Sequence, residues 1–216
     1  MKSRLIILAA LLCTYAVPAL ADEAPKAEIF GEYSYFRFNP TIPNVRNTSL
    51  NGGGGGITFN FNNYLGIKAE LMGYGSTNYT IPAGTTIPGT NPPAVTTADI
   101  TTQGNMFTYL FGPQVNYRTS KANIFGELLF GGSNSNVYAN VASAYNGVGG
   151  NVAGGTQHPF TMAFGGGLDV KVSKNVAIRP VEIDWILTRY TNPYTLTNNQ
   201  NNFRYTAGIV FYVGGK

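Results

Sequence analysis

Residues 202–213 read Asn-Phe-Arg-Tyr-Thr-Ala-Gly-Ile-Val-Phe-Tyr-Val. Phe203, Tyr205, Ala207, Ile209, Phe211 and Val213 share one parity; Arg204, Thr206 and Gly208 share the other. Side chains of a strand alternate between two faces, so this segment has one apolar and one polar face. Its length suits a tilted bilayer crossing, which takes about 9–11 residues.

The same alternation recurs upstream and predicts seven more strands. The first covers 27–38, with Ile29, Gly31, Tyr33 and Tyr35 opposite Glu28, Glu32 and Ser34. Strands follow at 52–61 (Ile57, Phe59, Phe61), 64–74 (Leu65, Ile67, Leu71 against Lys68 and Glu70) and 105–117 (Phe107, Tyr109, Phe111 against Gln114 and Asn116). Further strands are expected at 122–132 (Ile124, Leu128 and Phe130 against Glu127), 159–171 (Phe160, Phe164, Leu168 against Asp169 and Lys171) and 176–188 (Ile183, Trp185, Leu187 against Glu182 and Asp184). Arg179 has the wrong parity unless its strand bulges, and Pro180 follows it; a proline inside a closed sheet predicts that bulge.

The connections alternate in length. Those after the second, fourth and sixth strands are a few residues. Those at 39–51, 75–104, 133–158 and 189–201 are long and rich in Asn, Thr, Gly and Pro, and are expected to be weakly ordered. Short turns on one side and long loops on the other is the pattern of outer-membrane barrels, and an even strand count puts both termini on the short-turn, periplasmic side.

Composition separates this reading from a soluble eight-stranded barrel of lipocalin type, which also alternates. Only 11% of residues are charged, against about 25% in soluble domains. No apolar stretch beyond the N-terminus is long enough for a membrane helix. A membrane-spanning chain without helices must close into a barrel, because lipid satisfies no backbone N–H or C=O. Tyr33, Tyr35, Tyr64, Tyr117, Phe160, Trp185, Tyr190, Phe203 and Phe211 are candidates for the aromatic girdles.

The N-terminus predicts export. Lys2 and Arg4 precede the apolar run Leu5–Val17, and Ala19-Leu20-Ala21 supplies a cleavage site, so residues 1–21 are expected to be a removed signal peptide and 22–216 the barrel domain. The only cysteine, Cys13, would leave with it, so no disulfide holds the mature fold. Removing Lys2 and Arg4 also lowers the formal charge from +4 to about +2. No nucleic-acid partner is expected at that charge.

Several segments carry a family resemblance: Phe30-Gly31-Glu32-Tyr33-Ser34-Tyr35, the glycine-rich opening of the second strand before Phe59-Asn60-Phe61, Ile178-Arg179-Pro180 with Asp184-Trp185, and Tyr205-Thr206-Ala207-Gly208-Ile209-Val210-Phe211. Together they resemble the small outer-membrane β-barrels of OmpA/OmpX type. The resemblance implies an eight-stranded antiparallel up-and-down transmembrane barrel, and it speaks to fold rather than activity. Members often end on an aromatic residue read by the assembly machinery; here Phe211 and Tyr212 are followed by Val213-Gly214-Gly215-Lys216.

Ten charged residues lie on the polar faces: Glu32, Lys68, Glu70, Glu127, Asp169, Lys171, Arg179, Glu182, Asp184 and Arg204. An eight-stranded barrel is just wide enough for side chains to fill, and an unpaired buried charge is costly. The ten are therefore expected to pair inside the lumen as a structural plug, with Asp169–Arg179 and Asp184–Arg204 as two cross-strand bridges. The alternatives are a small pore and a lipid-modifying hydrolase at the rim. The only histidine, His158, has Gln157 and Pro159 as neighbours and no His-x-Ser spacing. Neither a catalytic set nor a cofactor site follows from these residues. Gly52–Gly56 opens a strand rather than a helix and lacks a following Lys-Ser/Thr, so it is no phosphate loop. One histidine and no mature cysteine argue against a transition-metal site. The expected partners are outer-membrane lipid and lipopolysaccharide, with Arg37, Arg46 and Arg189 near the outer rim, the assembly machinery, and a surface ligand on the long loops. A monomer is expected.

Overall fold

A computed structural model of the chain describes residues 24–39, 47–87, 90–151, 154–190 and 199–214. The expected signal peptide, 1–21, lies outside the described residues. The strands are β1 (Ala27–Phe38), β2 (Thr48–Asn60), β3 (Leu65–Ile81), β4 (Thr86–Ile87), β5 (Ala94–Val95), β6 (Ile100–Arg118), β7 (Ala122–Ser135), β8 (Phe160–Lys171), β9 (Val176–Arg189) and β10 (Asn199–Val213). One helix, α1 (Val137–Asn146), follows β7.

Eight of the strands close a barrel in the order β1-β10-β9-β8-β7-β6-β3-β2, and every pairing is antiparallel. β10, the segment read first, closes the ring against β1: Ile29 lies opposite Phe211 and Tyr35 opposite Tyr205. The two-stranded β4–β5 hairpin sits in the long connection between β3 and β6. The fold is an eight-stranded up-and-down transmembrane barrel.

Parity decides what each side chain meets. Residues of the apolar parity point outward and stay exposed: Phe111 is 59% exposed, Phe164 61% and Leu71 56%. Such a wall of large apolar side chains exceeds what a soluble monomer carries and matches a lipid-facing band. A lipocalin-like barrel would have the opposite faces. Glu32, Lys68, Glu70 and Arg204 point inward and are buried.

The bulge in β9 follows from Pro180. Thr206 pairs with Glu182 and Gly208 with Arg179, so Pro180 and Val181 together oppose Ala207. The β8 register shifts at the same place, between Leu168 and Val170. The extra residue returns Arg179 to the lumen side, where it is fully buried.

Order extends further than composition suggests. β3 and β6 continue past the expected limits and pair out to Ile81 opposite Ile100. β7 runs to Ser135, and α1 then occupies part of 133–158. Val137, Tyr138, Val141, Ala142 and Tyr145 are buried along one side of α1. That spacing is a helical apolar face, and it overrides the loop-like composition because burying the face against the barrel interior outweighs a weak intrinsic propensity.

Candidate functional site

The lumen is stacked in layers along the barrel axis. Nearest the short turns, Phe30, Ala177, Val210 and Tyr212 form a small apolar cluster. Beside it, Arg118 donates to Glu28 at 2.6 Å and to Asn60 Oδ1 at 3.0 Å. Gln114, Asn116 and Asn123 extend this polar ring by amide hydrogen bonds.

Above it lies the charge layer. Lys68 reaches both carboxylate oxygens of Glu127 and of Glu182 at 3.0–3.1 Å, and Glu70 at 3.3 Å. Arg179 binds Asp169 at 2.6 Å, Glu32 at 2.6 Å and Glu182 at 2.8 Å. Arg204 binds Asp184 at 2.8 Å, approaches Glu182 at 3.5 Å, and donates to Glu70. Phe30 and Phe125 flank two of these cations: the Arg179 guanidinium lies 4.3 Å from the Phe125 ring centre, and Lys68 Nζ lies 4.9 Å from that of Phe30. Cation–π attraction strengthens when both groups are desolvated, as here.

Glycines make the room. An added Cβ at Gly165 would fall 2.1 Å from Asp184 Oδ1, and one at Gly208 would fall 2.7 Å from Glu32 Cγ. At Gly54 and Gly56 it would meet Met72 Sδ and the Phe30 ring. The glycine run of β2 therefore serves the packing of the lumen.

Toward the long loops the lumen turns apolar. Phe36, Phe38, Leu50, Met72, Met106, Leu110, Leu129 and Ile186 pack beneath Val137, Tyr138, Val141 and Tyr145 of α1. Phe36 stacks at a tilt on Tyr74 with ring centres 5.1 Å apart, and Tyr138 on Tyr190 at the same distance. Tyr138 also accepts from Gln200 of β10. Tyr190, expected in an aromatic girdle, is instead fully buried under α1, with its hydroxyl 3.1 Å from Ser133. Burial pushes its phenol up to about 12.

Nine of the ten sequence-chosen charges meet in the charge layer. Lys171 does not: it lies at the short-turn end of β8, half-buried, with no ion pair among the described residues. Its position opposite Ala177, one step below Asp169 on the same face, puts it at the mouth, where water solvates an ammonium better than the lumen can. Sequence reasoning passed over Arg118 and Glu28. Glu28 shares the parity of Glu32, but Arg118 falls one residue beyond the strand expected at 105–117, whereas β6 runs through it. The layer-forming apolar residues Met72, Leu110, Leu129 and Ile186 share the charged parity, which gives a face but no height.

At the outer rim, Arg37 is exposed and donates to Ser49 Oγ at 3.1 Å. His158 and Arg189, with Gln157, Pro159 and Phe160, line an open depression of about 510 Å3. Among the described residues its lining holds no serine, threonine or carboxylate. Arg46 lies outside the described residues.

No protein-family model matches the chain, and no curated protein matches it in sequence. Solved structures do resemble it. Neisserial surface protein A superposes with a TM-score of 0.54 at 9% identity, covering 87% of this chain and 97% of that one. OprG from Pseudomonas aeruginosa gives 0.56 at 12% identity, covering 90% and 98%. At such identities the likeness speaks to fold, and it agrees with the closed ring of eight strands and the outward apolar wall. The chain has the fold of the small eight-stranded outer-membrane β-barrels.

Proposed function

We propose that this outer-membrane barrel is a closed scaffold whose role is structural or surface-interactive, with a lumen plugged by paired charges and no catalytic site. One observation carries this reading: the charge layer lies between an apolar cluster below and a larger aromatic layer above, with α1 seated over the upper one. An ion would have to cross packed apolar side chains and break several ion pairs, each buried and costly to separate. Among the described residues the depression at His158 has no nucleophile or acid in its lining beside the imidazole, which argues against hydrolysis there.

In this reading residues 1–21 are a cleaved export signal and both termini face the periplasm. Arg37 and Arg189 contact anionic lipopolysaccharide headgroups at the outer rim. The assembly machinery inserts the chain as a monomer. The connection between β3 and β6, stiffened by their extension beyond the barrel and by the β4–β5 hairpin, is the platform for a surface ligand.

Planar-bilayer recording of the refolded protein tests the plug. The expected result is no steady conductance; a stable single-channel conductance would overturn it. Deleting 82–99 tests the platform, with unchanged surface binding as the result that refutes it.

A further inference from the structure

The charges of this chain are sorted by place. Among the described residues, every carboxylate but Asp99 is buried in the lumen, and Asp99 is exposed in the connection between β3 and β6. The cations divide differently. Lys68, Arg118, Arg179 and Arg204 are buried with the carboxylates, whereas Lys26, Arg37, Lys121, Lys174 and Arg189 are exposed. The short-turn end therefore carries exposed ammonium groups, and among the described residues no exposed carboxylate faces them.

Two of these lysines stand on neighbouring turns. Lys121 precedes β7, and Lys174 lies between β8 and β9. The Lys171 N–H donates to the Lys121 carbonyl at 2.8 Å, which ties the end of β8 to the first turn. Both turns are tight. The Thr119 N–H donates to the Ala122 carbonyl at 2.7 Å, and the N–H groups of Val172 and Ser173 both donate to that of Val176 at 3.0 Å. The lysine stems thus leave from fixed backbone. Lys171, half-buried at the mouth, adds positive charge beside them. Lys26 stands apart: it precedes β1, two strands from β9 in the ring, and Asp22 and Glu23 come before it in the chain.

The wall next to these turns is apolar. Tyr117, Ile124 and Val170 point outward and are exposed, with Tyr117 opposite Ile124 and Val170 opposite Ala122. Val172 continues the exposed apolar surface into the second turn. An apolar strip ending in unpaired cations matches an amphiphile with hydrocarbon chains and an anionic head. A soluble anionic polymer, such as a cell-wall strand, would meet the lysines but leave the strip unused.

We propose that Lys121 and Lys174 bind the headgroup of an anionic phospholipid of the periplasmic leaflet, whose chains lie along Tyr117, Ile124 and Val170. The proposal rests on the orientation given above, with the short turns periplasmic. Lysine stems lie along apolar surface while their ammonium groups reach the headgroup level, where they donate charge-assisted hydrogen bonds to phosphate. A zwitterionic lipid brings its own cation to the site and offsets part of that attraction, so the pair selects lipids with net negative charge.

The test reads lipid composition at this spot. Tyr117→Trp in a Trp185→Phe background puts the sole tryptophan of the full chain beside Lys121. The protein is refolded into phosphatidylcholine vesicles containing phosphatidylglycerol, with bromine on the chains of one lipid or the other. Relative quenching then gives the local preference. The expected result is a preference for phosphatidylglycerol of about tenfold at low salt, falling toward unity in salt on the order of 0.5 M. Lys121→Gln/Lys174→Gln should abolish it and Lys121→Arg/Lys174→Arg should keep it, while Arg37→Gln/Arg189→Gln at the opposite rim should leave it unchanged. Should the tryptophan variant fail to fold, native mass spectrometry of the unlabelled wild type and of Lys121→Gln/Lys174→Gln, released from mixed micelles of the two lipids, replaces it; equal retention of phosphatidylglycerol by the two would refute the site. A wild type without preference, a preference that survives the double glutamine change, or one lost only in the outer-rim variant would each overturn the proposal. Capture of the wild type by purified cell-wall sacculi through these lysines, without any lipid preference, would assign them to the cell wall and sink it equally. Orientation is checked separately by labelling Lys174→Cys with an impermeant maleimide in intact cells. Labelling from outside would overturn the periplasmic placement, and the leaflet assignment with it; loss of preference in a protected, correctly oriented protein would overturn the lipid site alone.

Discussion

Arg179 is the cation on which three carboxylates depend, so Arg179→Met is the sharpest test of the charge layer. Methionine keeps most of the volume while removing the guanidinium that binds Asp169, Glu32 and Glu182 and lies over the Phe125 ring. Asp169 has no other cation among the described residues, and neither does Glu32; Glu182 retains Lys68 and Arg204. Removing one partner of a buried pair costs about 3–5 kcal/mol, which lowers the folding constant by roughly two to four powers of ten. The assay is urea unfolding in lipid vesicles, followed by the slower gel migration of the unfolded form and by tryptophan fluorescence. Adding Asp169→Asn to Arg179→Met removes one stranded charge, so the double variant should be less damaged than the two single losses predict, by about 0.5–3 kcal/mol. A loss below about 1 kcal/mol for Arg179→Met, or strict additivity in the cycle, would refute the view that these ion pairs are dry and mutually dependent.

Other perturbations probe the remaining layers. Gly165→Ala places a Cβ 2.1 Å from Asp184 Oδ1 and should displace the Asp184–Arg204 pair, at a cost of about 1–3 kcal/mol in the same unfolding assay. Val141→Asp puts a carboxylate into the apolar layer under α1; limited proteolysis should then cut within 137–150 at least tenfold faster, while the barrel strands stay protected. Tyr190 has a raised folded pKa of about 12 through burial, so its stabilising contribution is complete below the unfolded value near 10 and is lost as pH rises from there through 12; Tyr190→Phe should flatten that alkaline loss, measured as proteolytic release of α1 against pH. Lys171→Ala should change stability by less than about 0.5 kcal/mol, because the side chain sits at the mouth outside the charge layer.

Much of the fold is a consequence of local order in the chain. Period-two alternation assigns a face to each residue wherever a strand is long enough, which is why β1 and the core of every other barrel strand are legible. Pro180 makes the β9 bulge legible too, since its missing N–H breaks the ladder at a point where no edge exists. Strand ends on the long-loop side are less legible. Asn, Thr and Tyr near 75–81 and 100–104 have the composition of a loop, and they extend as strands only because β3 and β6 find each other there. α1 does carry a helical apolar spacing at 137, 138, 141, 142 and 145, yet ten residues are marginal alone and need a surface to dock on.

The sequence alone determines that this chain alternates, that its apolar face must meet lipid, and that eight antiparallel strands joined by unequal turns must close. Those conclusions rest on spacing and on backbone hydrogen bonding, which neighbouring residues decide. Only the tertiary structure decides which inward side chains share a height. Glu32 meets Arg179 across 147 residues of chain, and Glu70 meets Arg204 across 134. Register, bulge and barrel shear set those meetings together. Parity cannot place Met72 and Leu129 in an apolar layer above Glu70 and Glu127, move Tyr190 from the membrane girdle to the lumen, or leave Lys171 at the mouth; closure of the ring does.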